Sequence, residues 1–334
     1  MIDVRTPAEY RRGHIPAAHN VPLFSDEERA LIGTLYAQHG PDVALKRGLE
    51  LVGPRFKDFI DAAEQIAAGA STLCVYCWRG GMRSRSLAFL FELAGFTTYT
   101  LQRGYKAYRN FVLQQFATPR RFVVLGGYTG SLKTQILRLL RDHYGQPVLD
   151  LEAAAHHKGS VFGHLGEPAQ PTQQQFENEL GWQLWQLPDQ RCWIEDESRW
   201  IGQCIIPKPL WEQMRSAPVV LLQIPREIRI QNIVQHYGQH STTELRAAIE
   251  RLQKRLGPNR YRDILQFLEC GDLEAAVDIL LDYYDRTYQY ALEHNHSQVF
   301  PFTPSAFTPE AIAQELVEWH KVLEHEWQTH QLSD

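Results

Sequence analysis

Cysteine is scarce. The 334 residues hold five, at no regular spacing, which argues against a disulfide framework and suits a reducing cytoplasm, the expected location. Long apolar runs are missing too: no window approaches the roughly 20 residues of a membrane span, so no membrane partner is expected. Met1-Ile2-Asp3-Val4-Arg5 lacks the apolar stretch of a secretory leader. Charge of one sign is not in excess, the formal net charge being −5, so an RNA partner would have to be held by local basic patches. Metal-ligand spacing is also lacking. Cys74 and Cys77 spell Cys-x-x-Cys, but residues three apart on a strand point to opposite faces, and no second pair completes a zinc site. His236 and His240 flank Gly238 without a third ligand, and His294 and His296 fare no better; no metal site is assigned. A chain of this length, 44% apolar, suffices for about two domains with real cores.

The most informative stretch is Cys77-Trp78-Arg79-Gly80-Gly81-Met82-Arg83-Ser84, between the apolar run 72–76 and a helical pattern over 84–94. A strand ending in cysteine, a Gly-rich turn and an arginine opening a helix make an anion cradle from backbone N–H groups. The same positive potential, with Arg79 and Arg83 near, lowers a thiol pKa and favours the nucleophilic thiolate. Upstream, Thr6-Pro7 caps a short helix. Ser25-Asp26 starts another, whose Leu31, Leu35 and Tyr36 form an apolar stripe expected to pack inward.

Asp3-Val4-Arg5, Glu9-Tyr10, Gly13-His14-Ile15-Pro16, Asn20-Val21-Pro22 and the Cys77 loop together resemble the rhodanese family. That resemblance implies a parallel sheet with helices on both faces, with Asp3 and Arg5 bracing the loop rather than reacting. It also implies a further strand ahead of Asp3, missing here. The Cys-x5-Arg spacing is one residue longer than in simple sulfurtransferases and is similar to that of cell-cycle dual-specificity phosphatases. It implies an anion the size of phosphate, selenophosphate or arsenate.

Pro119 ends the helix before it, placing the domain boundary at 117/118 and a second domain over 118–334. Phe122-Val123-Val124-Leu125 runs into Gly126-Gly127-Tyr128-Thr129-Gly130-Ser131-Leu132-Lys133-Thr134 and then a helix pattern. This is the strand–loop–helix context of a phosphate-binding P-loop. Gly127, Thr129 and Gly130 would wrap a diphosphate, Lys133 neutralise it and Thr134 hold Mg²⁺. Leu132 stands where glycine is expected, which puts nucleotide hydrolysis in doubt and leaves diphosphate binding. Asp150, Glu195 and Asp196 end two further strands and are candidates for an acid or Mg²⁺ site. The remainder from Arg226 reads as helical. It carries Arg251, Lys254, Arg255, Arg260 and Arg262 around Tyr261, a patch suited to an RNA backbone. Trp182, Trp185 and Trp200 read as core rather than as a ligand pocket.

The fusion of these two domains resembles the bacterial tRNA 2-selenouridine synthase family. The motifs that carry this are 27–30 with Gly33-Thr34, 76–84, the 126–134 loop, Asp150-Leu151-Glu152 with Gly159-Ser160, Ile194-Glu195-Asp196-Glu197-Ser198 and Lys254-Arg255-Leu256-Gly257. The resemblance implies a tRNA partner with 2-thiouridine at the wobble position, geranyl diphosphate and selenophosphate as co-substrates, and an enzyme that supplies selenophosphate. A geranyl group first alkylates the sulfur, and selenium then replaces the geranylthio group. Cys77 would attack selenophosphate, held by Arg79, Gly80, Gly81 and Arg83, while the P-loop grips the geranyl donor. Rival readings are a Cys-x5-Arg phosphatase, a thiosulfate sulfurtransferase and a non-catalytic tRNA-binding module.

Overall fold

A computed structural model describes residues 1–296 and 298–319; residues 320–334, which the sequence assigned to the second domain, lie outside the described residues. The chain forms two compact units, the first Met1–Gln115 with Thr172–Trp182, the second Phe116–Pro171 with Gln183 onward.

In the first unit the elements run β1 (Ile2–Asp3), α1 (Pro7–Arg12), β2 (His19–Asn20), α2 (Asp26–His39), α3 (Pro41–Val52), α4 (Phe56–Ala67), β3 (Thr72–Tyr76), α5 (Met82–Leu93), β4 (Thr97–Thr100) and α6 (Gly104–Ala117). The strands pair in parallel in the order β2-β1-β3-β4. The chain steps outward from β1 to β2 and, in the other direction, from β3 to β4. The crevice beyond the carboxyl ends of β1 and β3 is therefore a topological switch point, the usual ligand position in such sheets. Local chemistry sets the helix starts. Thr6 and Ser25 each close a capping box, with Glu9 and Glu28 reaching back to the cap. The chain breaks between α2 and α3 at Gly40, φ +84°, with Pro41 opening the next helix. The expected inward packing of the α2 stripe is not found: α2 buries no residue, and Tyr36 is 61% exposed.

The second unit contains β5 (Phe122–Gly127), α7 (Lys133–Asp142), β6 (Val148–Leu149), α8 (Leu151–Ala155), α9 (Gln173–Gln186), β7 (Cys192–Glu195), β8 (Trp200–Ile201), β9 (Cys204–Ile205), α10 (Lys208–Ser216), β10 (Val219–Leu222), α11 (Arg226–Tyr237), α12 (Thr242–Glu250), α13 (Gln253–Leu256), α14 (Pro258–Glu269), α15 (Leu273–Asn295) and β11 (Val299–Phe302), although α9 up to Trp182 belongs to the first. Its parallel sheet has the order β11-β10-β5-β7-β6. The loop after β5 therefore opens beside the carboxyl end of β7. Strand β11 departs from the all-helical C-terminal region expected from sequence. Pro301 within it cannot donate to a ladder, which fits its place at the sheet edge. Helices α12, α14 and α15 gather around a separate apolar cluster that includes Leu245, Ile249, Ile264 and Leu280.

The segment 172–182 was not foreseen as part of the first unit. Fully buried Asn178 donates to the His14 carbonyl and to the Tyr105 hydroxyl, both at 2.7 Å. Arg109 pairs with Glu177 and donates to Asn178 Oδ1 at 2.7 Å. Gly181 lies so close to Val112 that a Cβ would come within 2.7 Å of its side chain.

Candidate active sites

Cys77 follows β3 directly and is 3% exposed. Its carbonyl accepts from Tyr105 N at 2.9 Å, tying the loop to the start of α6. The neighbouring turn must be glycine: at Gly104, φ +60°, a Cβ would lie 2.2 Å from the Cys77 oxygen. Around the sulfur, Gly81 N donates at 3.3 Å and Ser84 Oγ lies at 3.3 Å. Burial alone would push the thiol pKa up. The hydrogen bonds from Ser84, Gly81 and Arg79, from side chain and backbone, outweigh it and hold the thiol below its ordinary value.

Beneath the loop, Asp3 and Arg5 form a buried ion pair, 0% and 1% exposed. The Arg5 guanidinium donates to the Gly13 carbonyl at 2.8 Å and lies 3.7 Å from the Tyr105 ring centroid. Both side chains are thus held by partners within the fold. Arg83 differs from expectation: its Nη1 donates to Glu9 Oε2 at 2.7 Å, so its charge is shared with a carboxylate from α1. Burial would raise the Glu9 carboxyl, but Arg83 prevails and keeps it below its ordinary value. Arg79 is exposed. Arg5, Arg12, Arg29 and Arg83, with Glu9 and Trp78, line a cavity of about 430 Å³.

The P-loop takes its expected place between β5 and α7. Lys133 Nζ donates to the Gly127 carbonyl at 2.7 Å, and Thr134 Oγ1 donates to Glu152 Oε2 at 2.6 Å. The Gly127 N–H, expected on the diphosphate, goes to Tyr288 Oη at 2.9 Å. Arg229 and Asn232 of α11 donate to the Thr129 and Gly130 carbonyls. Leu132 adopts the left-handed conformation, φ 62° and ψ 20°, and packs on the apolar cluster holding Val123 and Leu125. The backbone shape that glycine would give is thus adopted by leucine, at a cost of roughly 1–2 kcal/mol that its burial offsets. Leu132→Gly is therefore expected to shift unfolding free energy by less than about 1 kcal/mol. Urea denaturation tests this, and a gain of more than about 2 kcal/mol on the change to glycine would show leucine to be a handicap.

Three carboxyl groups meet beside Thr134. Glu195 Oε1 accepts from Glu152 N at 2.7 Å, and Glu197 rests against Gly159. Burial raises all three; repulsion from Glu152 adds to it at Glu195 and Glu197, whereas at Glu152 the Thr134 hydrogen bond and the Lys133 charge oppose it. Glu152 and Glu197 belong to the same acidic strand ends as the sequence candidates Asp150, Glu195 and Asp196. Among the described residues no group of three or more His, Cys, Asp or Glu side chains is arranged to hold a metal ion. Mg²⁺, however, takes one or two carboxylates with substrate phosphates rather than a protein cage, and the Thr134 hydroxyl with Glu152 offers such all-oxygen donors.

The other two candidates are engaged elsewhere. Asp150 caps α8 through Ala153 N and pairs with Arg141. Asp196 accepts from Arg215 at 2.8 Å and from Tyr288 Oη at 2.9 Å, and lies 3.1 Å from His296 Nε2. Burial would raise Asp196, but His296 and Arg215 bring it down to about 2 from 3.8. A depressed folded pKa gives stability that is complete above the unfolded value and disappears as pH falls through the folded one. Asp196 should thus contribute about 2 kcal/mol that is lost between roughly pH 4.5 and 2. Asp196→Asn is expected to cost about 3–5 kcal/mol at pH 7, because it strands the Arg215 charge. It should also flatten this part of the urea stability profile; an unchanged acid slope would refute the assignment.

Arg251, Lys254, Arg255 and Arg262 are exposed on and between α12, α13 and α14, and Arg260 is half-buried. The tryptophans do not form a core: Trp185 and Trp200 are 53% and 59% exposed, and Trp182 is half-buried.

A family model described as the tRNA 2-selenouridine synthase AAA domain matches residues 120–318, and a rhodanese-like domain model matches residues 1–111. The tRNA 2-selenouridine synthase of Sulfurovum sp. strain NBC37-1 is 35% identical over 350 residues, spanning 94% of each chain. That of Bdellovibrio bacteriovorus is 34% identical over 95% of this chain and 94% of its own. That of Bordetella bronchiseptica is 36% identical over 87% of each. No described helix is long and apolar enough to cross a membrane.

Proposed function

The chain belongs to the tRNA 2-selenouridine synthase family, and from that premise we propose that it converts wobble 2-thiouridine in tRNA to 2-selenouridine through an S-geranyl intermediate. The observation that carries this reading is the Cys77 centre, where a buried thiol at a sheet switch point is held below its ordinary pKa by donors on its own loop. In the first stage the P-loop holds geranyl diphosphate. The sulfur of 2-thiouridine bonds to the geranyl carbon as the carbon–oxygen bond breaks, and diphosphate leaves with the electron pair. Lys133 must release the Gly127 carbonyl to reach the diphosphate. Mg²⁺, where bound, would be held by Thr134 and Glu152 and would supply countercharge to the leaving group.

In the second stage the Cys77 thiolate attacks the phosphorus of selenophosphate, breaking the phosphorus–selenium bond and releasing selenide. The selenide displaces the geranylthio group, which departs as the thiolate, and water then frees phosphate from Cys77. An alkylated sulfur leaves far more readily than a thiocarbonyl sulfur. Arg79, Arg83 and the amides of Gly80 and Gly81 would bind the donor anion. Exposed Arg251, Lys254, Arg255 and Arg262, with half-buried Arg260, supply phosphate contacts to tRNA, and the selenophosphate donor comes from a separate enzyme. Nucleoside mass spectrometry on 2-thiouridine tRNA, incubated with the protein, geranyl diphosphate and selenophosphate, tests the reading. S-geranyl-2-thiouridine and then 2-selenouridine are expected; formation of neither overturns it.

A further inference from the structure

Several apolar residues of α2 and α3, with neighbours from α4, α5 and the loop before α2, gather in one place. They surround a cavity of about 690 Å³ in the first unit, set between these helices, α5 and the Cys77 loop. Phe24, Ile32, Ala44 and Val52 lie along its wall. Tyr36, Leu45, Leu49, Phe56 and Met82, each 42–61% exposed, line it as well. So many large apolar groups held open around one space mark a ligand groove rather than an unfinished core. Its volume falls within the roughly 300–1,000 Å³ that buries a small ligand. Polar groups are confined mainly to Arg29, Arg79, Arg83 and Ser86, and Cys77 itself is part of the lining. Arg29, Trp78 and Arg83 also line the smaller arginine-rich cavity. An apolar space and a basic one therefore share a boundary at the reactive loop.

We infer that the apolar cavity holds the hydrocarbon chain carried on the sulfur of the acceptor nucleoside, so that it selects chain length in the selenium-transfer stage. This rests on the S-geranyl route proposed above. A ligand with its apolar end in this cavity and its polar end among the arginines places the carbon–sulfur junction at Cys77. A branched chain of about ten carbons fits the volume. Each buried CH₂ adds about fourfold in affinity, so a chain half as long forfeits much of the binding.

The test uses the full-length protein, selenophosphate and tRNA anticodon stem-loops carrying chemically prepared S-methyl-, S-dimethylallyl- or S-geranyl-2-thiouridine. Formation of 2-selenouridine is followed by mass spectrometry. The unmodified protein is expected to favour the geranyl over the dimethylallyl substrate at least tenfold in kcat/KM. Ala44→Phe, which fills the buried wall, should cut that ratio by about tenfold or more. Leu49→Phe, at the exposed rim, carries the same comparison should Ala44→Phe fail to fold. Equal rates on all three substrates would overturn the inference while keeping the S-geranyl route. An unchanged ratio in the variants, or a change only in oligomeric state, would overturn it in favour of a surface between copies of the chain. Conversion of none would reject the route itself.

Discussion

Cys77→Ala is expected to abolish 2-selenouridine formation, by roughly 10⁴-fold or more, and to leave S-geranyl-2-thiouridine accumulating on the tRNA. The alanine removes the one group at the β3 switch point that is both nucleophilic and surrounded by hydrogen-bond donors. It leaves the P-loop residues untouched. Nucleoside mass spectrometry on the same reaction reads both products, and selenouridine at more than a tenth of the normal rate would sink the assignment of Cys77. A pH series separates reactivity from mere structure. Because the Cys77 pKa is lowered, the thiolate persists at lower pH than for a free cysteine, so the rate should rise with pH and level off early. The Ser84 hydrogen bond does most to oppose burial. Its hydroxyl also reaches the Gly81 carbonyl at 3.1 Å, and must turn from it to donate to the thiolate. Ser84→Ala should therefore move the rise to higher pH, with its largest deficit at the acid end, and Ser84→Thr should restore most of it.

What could be read from sequence was contiguous. The Thr6 and Ser25 caps, the strand before Cys77, the helix after Gly81 and the strand–loop–helix at 122–142 each draw their signal from neighbours along the chain. What could not be read depended on residues far apart. Arg83 pairs with Glu9, 74 positions away, and Asp196 meets His296 across 100. Nothing near Asn178 announces that it will be buried against His14 and Tyr105. The carboxylates showed the same limit, since strand ends predicted acids beside the P-loop but not which would turn inward. Glu152 turns to Thr134 of the loop, whereas Asp196, equally buried, turns to Arg215 and Tyr288. Leu132 taught the opposite lesson: the rule that glycine fits the left-handed position was right about the backbone and too strict about the side chain.

Lys133→Ala is expected to slow S-geranylation by about 10²–10³-fold, or roughly 2.7–4 kcal/mol of transition-state stabilisation. Lys133 stands at the first position of α7, where the helix N-terminus and an ammonium favour an anion together. Its hydrogen bond at rest goes to the Gly127 carbonyl, a neutral acceptor that an incoming diphosphate readily replaces, and its ammonium lies 6.0 Å from the Tyr288 ring centroid. Negative charge builds on the leaving diphosphate as the carbon–oxygen bond breaks, so the loss should fall mainly on kcat. Lys133→Arg should recover little, because a planar guanidinium cannot follow a compact ammonium into a loop built for a point charge. Stem-loops already carrying S-geranyl-2-thiouridine should still be converted by the lysine variants, the reverse of the pattern for Cys77→Ala. Should Lys133→Ala geranylate normally yet fail to convert the prepared intermediate, the P-loop would belong to the selenium stage and the division of labour between the two centres would have to be exchanged.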